Sequence, residues 1–222
     1  MNKNLEKIRA YLIKQGVSEQ KVNNDLTSSV YLAMMIMEYA HRDQKRENGE
    51  DYANHPLRCL YTYRNLIGIG LDGDGLMDKD LLYQNNIPFD GVQEVLLLHD
   101  VVEDSEFTLD DVRDIYVYCG FESYFDMYIK SALKCITHDK AVDYEEYIKI
   151  VLKNPISALV KIIDSQDNLR ILDLIKFNED RYHRAENYLH NAYIINKKYH
   201  FVENIENYKK QFKEDGEWNI YY

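Results

Sequence analysis

The sequence predicts an all-α fold, a bundle of helices in a single domain. Only three prolines and nine glycines interrupt its 222 residues. Apolar residues recur every three or four positions through residues 30–46, 111–136 and 184–212, which is the spacing of amphipathic helices. No alternation of strand and helix patterns and no fixed-period repeat is visible, which argues against doubly wound and solenoid folds. We therefore expect one helical domain across residues 1–222.

Individual helices are supported by local signals. The first 16 residues mix charges with apolar positions at helical spacing, which indicates a helix and not a signal peptide. Residues 30–46 follow as the next helical stretch. Thr108 and Asp111 have the spacing of a capping box, which predicts a helix start immediately before residues 111–136.

A glycine-rich segment, about residues 65–92, interrupts the helical pattern, and we interpret it as an insertion or a lid. Its acidic stretch DGDG invites comparison with a calcium-binding EF-hand loop. The match fails, because the fifth and twelfth positions of that loop would be Leu76 and Tyr83 instead of oxygen ligands. A solvated turn is the expected structure there.

Composition restricts the possible partners. The net charge of −11 disfavours non-specific binding to nucleic acid or an anionic membrane, although a small anionic ligand could bind at a local basic patch. The longest apolar runs fall short of the ~20 residues that cross a bilayer. Cys59, Cys119 and Cys135 are widely spaced and suit packing better than a disulfide framework or a zinc site. We expect a cytoplasmic protein with no nucleic-acid partner and no membrane partner.

A chemical site is suggested first by residues 96–108, LLLHDVVEDSEFT. On a helix, His99, Asp100 and Glu103 can share one inward edge beside the leucines. Burying these groups without partners would cost several kcal/mol, and a divalent cation such as Mn, Fe, Co or Zn is a common compensation. The alternative is a solvated helix edge, which a lone His-Asp pair would favour.

Two other stretches carry inward-facing polar residues. His55 precedes Pro56, which predicts a helix boundary at this point. Asp164 interrupts an apolar helix, and Asn168 lies one turn beyond it on the same face. Each has a structural alternative: His55 could be a satisfied core histidine, and Asp164 could cap a helix or pair with Lys161.

Three motifs in this order carry a resemblance to a known family. They are A-H-x-x-Q-x-R-x-x-G-E-x-Y-x-x-H-P at residues 40–56, L-L-H-D-V-V-E-D at residues 97–104, and V-K-x-x-D-x-x-x-N-L-R at residues 160–170. Together they resemble the HD-type hydrolase domain of Rel/SpoT proteins and small alarmone hydrolases over about residues 28–200. The resemblance implies an HD-domain helical bundle, with the glycine-rich segment inserted between the first histidine ligand and the His-Asp pair.

The resemblance also implies an activity, the metal-dependent removal of the 3′-diphosphate of ppGpp or pppGpp to give pyrophosphate and GDP or GTP. One divalent ion, usually Mn²⁺ in this family, would be held by His55, His99, Asp100 and Asp164. Glu103 and Asp104 would orient and deprotonate the attacking water. Arg46 would contact the guanine base, and Asn168 would contact the nucleoside.

A local basic patch could serve such an anionic substrate in an acidic protein. Its candidates near the three motifs are Lys45, Arg46, Lys161 and Arg170. Lys45 could also be ordinary surface charge, and Lys161 could serve mainly to orient Asp164.

Two departures from the family pattern leave other functions open. Glu47 and Asp51 add negative charge near the expected base pocket and favour an HD phosphohydrolase of another nucleotide, such as a nucleoside 5′-phosphate, a cyclic nucleotide or NADPH. A non-catalytic sensor would be indicated by loss of a ligand or of the Glu103–Asp104 pair, and neither is lost. His138 is interpreted as a loop histidine. The aromatic end GEWNIYY could dock on a second subunit, giving a homo-oligomer, or cover the bundle.

Overall fold

The computed structural model describes residues 2–69, 77–172 and 178–214, and in these ranges the regular structure is helical apart from one isolated bridge between Lys45 and Asp51. The elements, in chain order, are α1 (Lys3–Lys14), α2 (Glu19–Asp25), α3 (Ser29–Ala40), α4 (Asn54–Ile67), α5 (Lys79–Gln84), α6 (Val92–Leu98), α7 (Val101–Asp104), α8 (Leu109–Tyr118), α9 (Glu122–Tyr124), a π-helical turn (Phe125–Ile129), α10 (Lys130–Ile136), α11 (Tyr144–Val151), α12 (Pro155–Leu172), α13 (Glu179–Tyr199) and α14 (Phe201–Glu214). The expected all-α fold is confirmed.

Helix α6 lies in the centre of the bundle. It packs against α3, α4 and α12, and its apolar residues Val92, Val95, Leu96, Leu97 and Leu98 have no exposed surface. Residues 95–98 are apolar around a full turn, as in a buried helix segment, whereas Gln93 and Glu94 in the first turn are polar. The first motif leads into α4, the second includes the end of α6, and the third lies on α12. Because α4 and α12 both pack against α6, the polar residues of the three motifs come together in the buried centre.

A glycine fixes how α6 enters the core. Gly91 precedes the helix with a φ of +80°, and a Cβ at this position would lie 2.8 Å from the Cβ of Tyr128. Both the left-handed backbone and the close approach of Tyr128 require a residue without a side chain.

Several predicted helical stretches are divided. The stretch 111–136 separates into α8, α9, the π-helical turn and α10, and the stretch 184–212 is interrupted at His200, whose φ is +55°. The helix that begins at residue 30 ends at Ala40 and does not reach residue 46. These interruptions lack a proline, although the break after α8 falls at Gly120, whose φ is +85° and whose residue type favours a helix end. The capping box of Thr108 and Asp111 at the start of α8 is confirmed.

The flanks of the predicted insertion belong to the packed fold. Leu82 on α5 and Ile87 after it are buried in the main core, and the Tyr63 hydroxyl donates to the carbonyl of Pro88 at 2.8 Å. The DGDG stretch at residues 72–75 and Leu76 lie outside the described residues, as does the GEWNIYY end, so the insertion and the homo-oligomer remain predictions.

Two expectations drawn from composition can be compared with the structure. Cys59 is buried, and Cys119 and Cys135 are half-buried. Among the described helices, none combines the length and the apolar character that crossing a membrane requires.

Candidate metal centre and substrate cleft

His55 enters the centre from the first turn of α4, as the helix boundary at Pro56 predicts. Its side chain is 1% exposed. The Nδ1 atom lies 2.7 Å from Oδ2 of Asp167, and the Nε2 atom lies 3.1 Å from Oδ1 of Asp164. A carboxylate can only accept, so Nδ1 carries the proton that it donates to Asp167. Nε2 then has a lone pair to offer to a cation placed between it and the Asp164 oxygen.

His99 enters the same centre from the C-terminal end of α6. Its Nδ1–H donates to the carbonyl of Leu96 at 2.8 Å, which turns Nε2 toward the other histidine. That Nε2 atom lies 3.3 Å from Nε2 of His55, 3.3 Å from Oδ2 of Asp100 and 3.7 Å from Oδ1 of Asp164. The two imidazoles thus aim their Nε2 atoms at one point.

Four side chains therefore converge, and they are the four that the family resemblance implied as ligands. Among the described residues, His55, His99 and Asp100 form a group able to hold a metal ion, and the Asp164 oxygen lies 3.1 Å and 3.7 Å from the two Nε2 atoms. Ligands about 2.1 Å from one ion lie about 3.0 to 3.5 Å apart when they are neighbours in its coordination shell. The spacing and the mixed nitrogen and oxygen donors fit a borderline divalent cation.

Electrostatics favour a positive charge at this point. Burial alone would lower the pKa of His99, but the charge of Asp100 and the bond with Asp164 raise it to about 9. Burial would raise the pKa of Asp164, but Lys161 and the bonds with His55 and His99 hold it well below its usual range. The carboxylates thus remain ionised in a buried site, which a bound cation would stabilise.

The helical edge predicted for His99, Asp100 and Glu103 is interrupted at its first two residues, although both keep right-handed helical backbone angles. Helix α6 ends at Leu98, and α7 begins only at Val101. Oδ2 of Asp100 lies 3.3 Å from Nε2 of His99, whereas Glu103 accepts from the His138 backbone.

Glu103 and Asp104, the predicted water-activating acids, lie on α7. Glu103 is half-buried, and its Oε2 accepts the backbone N–H of His138 at 3.0 Å. Burial raises the pKa of Glu103. Asp104 is exposed, and its backbone carbonyl accepts from Nε2 of Gln44 at 2.6 Å. His138 is in a loop, as expected, but its backbone holds a candidate catalytic acid.

Tyr52 links the ligands to these acids. Its hydroxyl lies 2.9 Å from Oδ2 of Asp100 and 3.2 Å from Oδ2 of Asp104, and can donate to either. Burial, followed by the charges of Asp100 and Asp104, raises the pKa of Tyr52, so the hydroxyl keeps its proton. Its ring stacks on His41 with centroids 4.7 Å apart. Sequence reasoning gave Tyr52 no role, although it is a fixed position of the first motif.

Arg46 and Asn168, the predicted nucleotide contacts, lie against the cluster. Nη2 of Arg46 donates to Oδ1 of Asn168, whose Nδ2 donates to Oδ1 of Asp164 at 2.6 Å. The guanidinium lies 5.5 Å from the centroid of the Tyr52 ring. Its Nη1 atom is buried and has no hydrogen-bond partner among the described residues. It forms an ion pair with Oδ2 of Asp167 at 3.9 Å, so the guanidinium lies between Asn168 and Asp167.

The other predicted cations have different surroundings. Lys161 lies 2.9 Å from Oδ2 of Asp164, which agrees with an orienting role. Lys45 is exposed and pairs with Asp51, as ordinary surface charge would. Arg170 is exposed in the last turn of α12, and none of the described contacts joins it to the cluster.

The two acids that departed from the family pattern are both compensated. Glu47 lies 3.0 Å from Nη1 of Arg184 and 3.1 Å from Nη2 of Arg181, both on α13. Asp51 is paired with Lys45. Neither acid leaves an unpaired negative charge beside Arg46. Glu47 and Asp51 therefore no longer argue for a nucleotide less anionic than ppGpp.

Sequence reasoning also missed a second set of charged residues behind His55. Asp167 is buried and accepts from His55 and from Arg58, which in turn binds Glu50. A sequence signal existed, because Arg58 and Asp167 lie three positions after His55 and Asp164 and thus on the same helix faces.

Comparison with known proteins gives relatives of two kinds. A GTP pyrophosphokinase of Streptomyces coelicolor is 26% identical over 164 residues, which are 72% of this chain and 16% of that protein. The human MESH1, a guanosine-3′,5′-bis(diphosphate) 3′-pyrophosphohydrolase, is 27% identical over 155 residues, 67% of this chain and 72% of that protein. The resemblance to Rel/SpoT-type HD hydrolases is therefore confirmed. This chain thus spans about one sixth of the Streptomyces relative but most of the human one. No protein-family model matches it.

A solved structure has the same fold. It is described as a metazoan orthologue of SpoT that hydrolyses ppGpp and plays a role in starvation responses. The TM-score is 0.54 with 18% sequence identity, and the match covers 83% of this chain and 95% of that one. The HD-domain bundle expected from the three motifs is thus confirmed at the level of the fold.

Proposed function

We propose that this protein hydrolyses ppGpp or pppGpp at the 3′-diphosphate and releases pyrophosphate with GDP or GTP. The observation that carries the proposal is the convergence of the Nε2 atoms of His55 and His99 with the carboxylates of Asp100 and Asp164. The MESH1 proteins of human and Drosophila, of which the matches cover 72% and 69%, are named as 3′-pyrophosphohydrolases of guanosine-3′,5′-bis(diphosphate), which supports the same substrate here.

These four residues would hold one divalent cation, for which we propose Mn²⁺, with Fe, Co or Zn as chemically suitable alternatives. When bound, such a cation supplies a lowered pKa for a coordinated water and neutralises charge on a phosphoryl group. Lys161 holds one oxygen of Asp164 and leaves the other oxygen directed at the histidines.

Glu103 would accept the proton of the attacking water. It is half-buried beside the cluster, and the His138 backbone fixes one of its oxygens. Burial raises its pKa, and a stronger base takes a proton more readily as long as it remains ionised. Asp104 and Tyr52 would help to orient the water, since the Tyr52 hydroxyl lies between Asp104 and Asp100.

The nucleotide would lie over Arg46 and Asn168. The guanidinium of Arg46 lies between Asn168 and Asp167, and the Asn168 amide is aligned by Asp164. A guanidinium is suited both to stacking on a base and to binding an anionic group. Hydrolysis of another nucleotide is less well supported, because Glu47 and Asp51 are paired with arginines and a lysine.

We propose the cytoplasm as the site of this reaction, since three cysteines widely spaced along the sequence are typical of a protein from a reducing compartment.

The test of substrate identity is incubation of the protein and Mn²⁺ with ppGpp, followed by separation of the products by anion exchange. GTP, NADPH, dAMP and a cyclic nucleotide are run in parallel, with chelator-treated samples as controls. We expect pyrophosphate and GDP in equal amounts from ppGpp, lost on chelation. Intact ppGpp together with cleavage of another nucleotide would contradict the proposed substrate and leave the metal chemistry standing.

A further inference from the structure

The protonation of His55 is fixed from behind by a buried carboxylate. Nδ1 of His55 lies 2.7 Å from Oδ2 of Asp167, whose side chain is 5% exposed. With the proton on Nδ1, only Nε2 can offer a lone pair, and Nε2 is the atom that faces His99 and Asp164. The orientation of the imidazole therefore depends on a residue outside the four-residue cluster.

Asp167 is itself held by a forked pair of bonds. Nε of Arg58 donates to its Oδ1 at 2.7 Å, and Nη2 donates to its Oδ2 at 2.8 Å. The guanidinium is held in turn by Glu50, with Nη2 2.8 Å from Oε1 and Nη1 3.1 Å from Oε2. Bidentate arginine-carboxylate pairs are both strong and specific in geometry, so the row Glu50–Arg58–Asp167 behaves as one rigid unit.

The placement on the helices makes the row part of the site. His55 and Arg58 are three residues apart on α4, and Asp164 and Asp167 are three residues apart on α12. Each helix therefore contributes one residue of the cluster and one residue of the row behind it. The packing of α4 on α12 therefore positions both the four-residue cluster and the Arg58–Asp167 pair behind it.

We propose that Asp167 is a positioning residue for His55, and that Arg58 and Glu50 position Asp167. The inference rests on the proposed function in that it takes His55 as a metal ligand. Histidines that bind metals usually donate their second N–H to a carboxylate, and loss of such a partner weakens metal binding about 10- to 100-fold.

A separate metal site at this place is a poorer explanation. His55, Cys59 and Asp167 do lie close enough to form a group of potential ligands. Both Asp167 oxygens already accept bonds from Arg58, however, and a guanidinium beside the carboxylate repels a cation. Sγ of Cys59 lies 3.8 Å from Nδ1 of His55, the nitrogen that donates to Asp167.

The chain offers a matched control. Arg113 and Asp126 form the same fork on the surface, with Nε 2.8 Å from Oδ1 and Nη2 2.7 Å from Oδ2. Asp167→Asn and Asp126→Asn therefore remove the same charge from the same geometry. Only Asp167 also accepts from a histidine of the cluster.

The test measures Mn²⁺ binding by calorimetry and the His55 tautomer by nitrogen NMR in both variants. We expect Asp167→Asn to bind Mn²⁺ about 10- to 100-fold more weakly and to lose the single Nδ1–H tautomer, and Asp126→Asn to match the parent protein. Arg58→Gln, which keeps the Asp167 carboxylate, should show a smaller loss and serves if Asp167→Asn does not fold.

Unchanged Mn²⁺ affinity and tautomer in Asp167→Asn would overturn the inference, as would a parent protein that binds no Mn²⁺. Failure of the proposed function is distinguishable from this, because hydrolysis is measured separately. A parent protein that binds Mn²⁺ but leaves ppGpp intact, with the affinity loss in Asp167→Asn, would sink the substrate assignment and retain the positioning role.

Discussion

The site has two halves, the ligand half (His55, His99, Asp100 and Asp164) and the acid half (Glu103 and Asp104). They differ in how deeply their side chains are buried. In the ligand half, His55, His99 and Asp164 are buried, and each is held from outside the space where a cation would lie, by Asp167, the Leu96 carbonyl and Lys161 respectively. In the acid half, Glu103 is half-buried with one backbone partner, and Asp104 is exposed. A site that must hold an ion needs fixed ligands, whereas residues that move a proton need access to water. Substitutions in the two halves should therefore have separable effects.

The largest effect is expected from Asp100→Asn in the ligand half. The change keeps the volume but removes a charge that faces both histidines, at 3.3 Å from His99 and 3.6 Å from His55. Loss of several kcal/mol of metal-derived stabilisation corresponds to about 10³-fold in rate. Metal content by mass spectrometry and hydrolysis rate should fall together. Asp43→Asn, at an exposed acid that pairs with Arg42, should behave as the parent protein. Full metal content with full activity in Asp100→Asn would contradict the role of Asp100 as a metal ligand.

A smaller and different effect is expected from Glu103→Gln in the acid half. The rate should fall about 10²- to 10³-fold because the general base is gone, while Mn²⁺ affinity stays within about twofold. Steady-state kinetics and calorimetry on the same preparation measure both. Weakened metal binding with an unchanged rate per bound ion would move Glu103 into the ligand half.

The pH dependence of the hydrolysis rate gives a second test of Glu103→Gln. Burial raises the pKa of Glu103 above its ordinary value of 4.5, and only the ionised form accepts a proton. Activity of the parent protein should therefore fall as the pH falls through this raised pKa. Glu103→Gln should lose that acid limb, since the amide does not titrate. An identical limb in the variant would show that another group controls it.

Tyr52→Phe should have an intermediate effect, because this residue joins the halves. It removes a hydroxyl that lies 2.9 Å from Asp100 and 3.2 Å from Asp104. A hydrogen bond to a charged group contributes about 1.5 to 3 kcal/mol, so we expect a loss of at least about 10-fold in kcat, with a smaller loss of metal affinity. Equal losses in both quantities would place Tyr52 wholly with the ligands.

The smallest effect is expected from Lys45→Ala at the outer edge of the cleft. Lys45 is exposed and pairs with the exposed Asp51, and such pairs contribute about 0 to 1 kcal/mol. We expect kcat/KM to change less than about twofold. Arg46→Lys is the informative companion, because Arg46 is mostly buried and reaches Asn168. A large rise in KM for Lys45→Ala would show that Lys45 binds the substrate, as the sequence prediction had it.

Local sequence was sufficient for much of the fold and for the ligand candidates. Helical spacing predicted an all-α protein, and Asp164 and His99 stood out because each interrupts an apolar run. Pro56 predicted the helix boundary that places His55. All these signals depend on neighbours within one or two helical turns.

Other features depend on packing between distant segments, and sequence spacing does not report that. Arg58 meets Asp167 across 109 positions, and Glu47 meets Arg184 across 137. Because those partners were not foreseen, Asp167 received no role and Glu47 was read as uncompensated charge. The turn at His99 and Asp100 was missed for the same reason, since the core around α6 decides where that helix ends.

The central claim is that hydrolysis needs one ion held by His55, His99, Asp100 and Asp164 beside Glu103. Its most direct test is the rate of pyrophosphate release from ppGpp as Mn²⁺ is titrated into chelator-stripped protein, with bound metal measured in parallel. The rate should start near zero and rise in proportion to bound Mn²⁺ until one ion is bound per chain. Full activity of the stripped protein, or activity unrelated to bound metal, would contradict the claim.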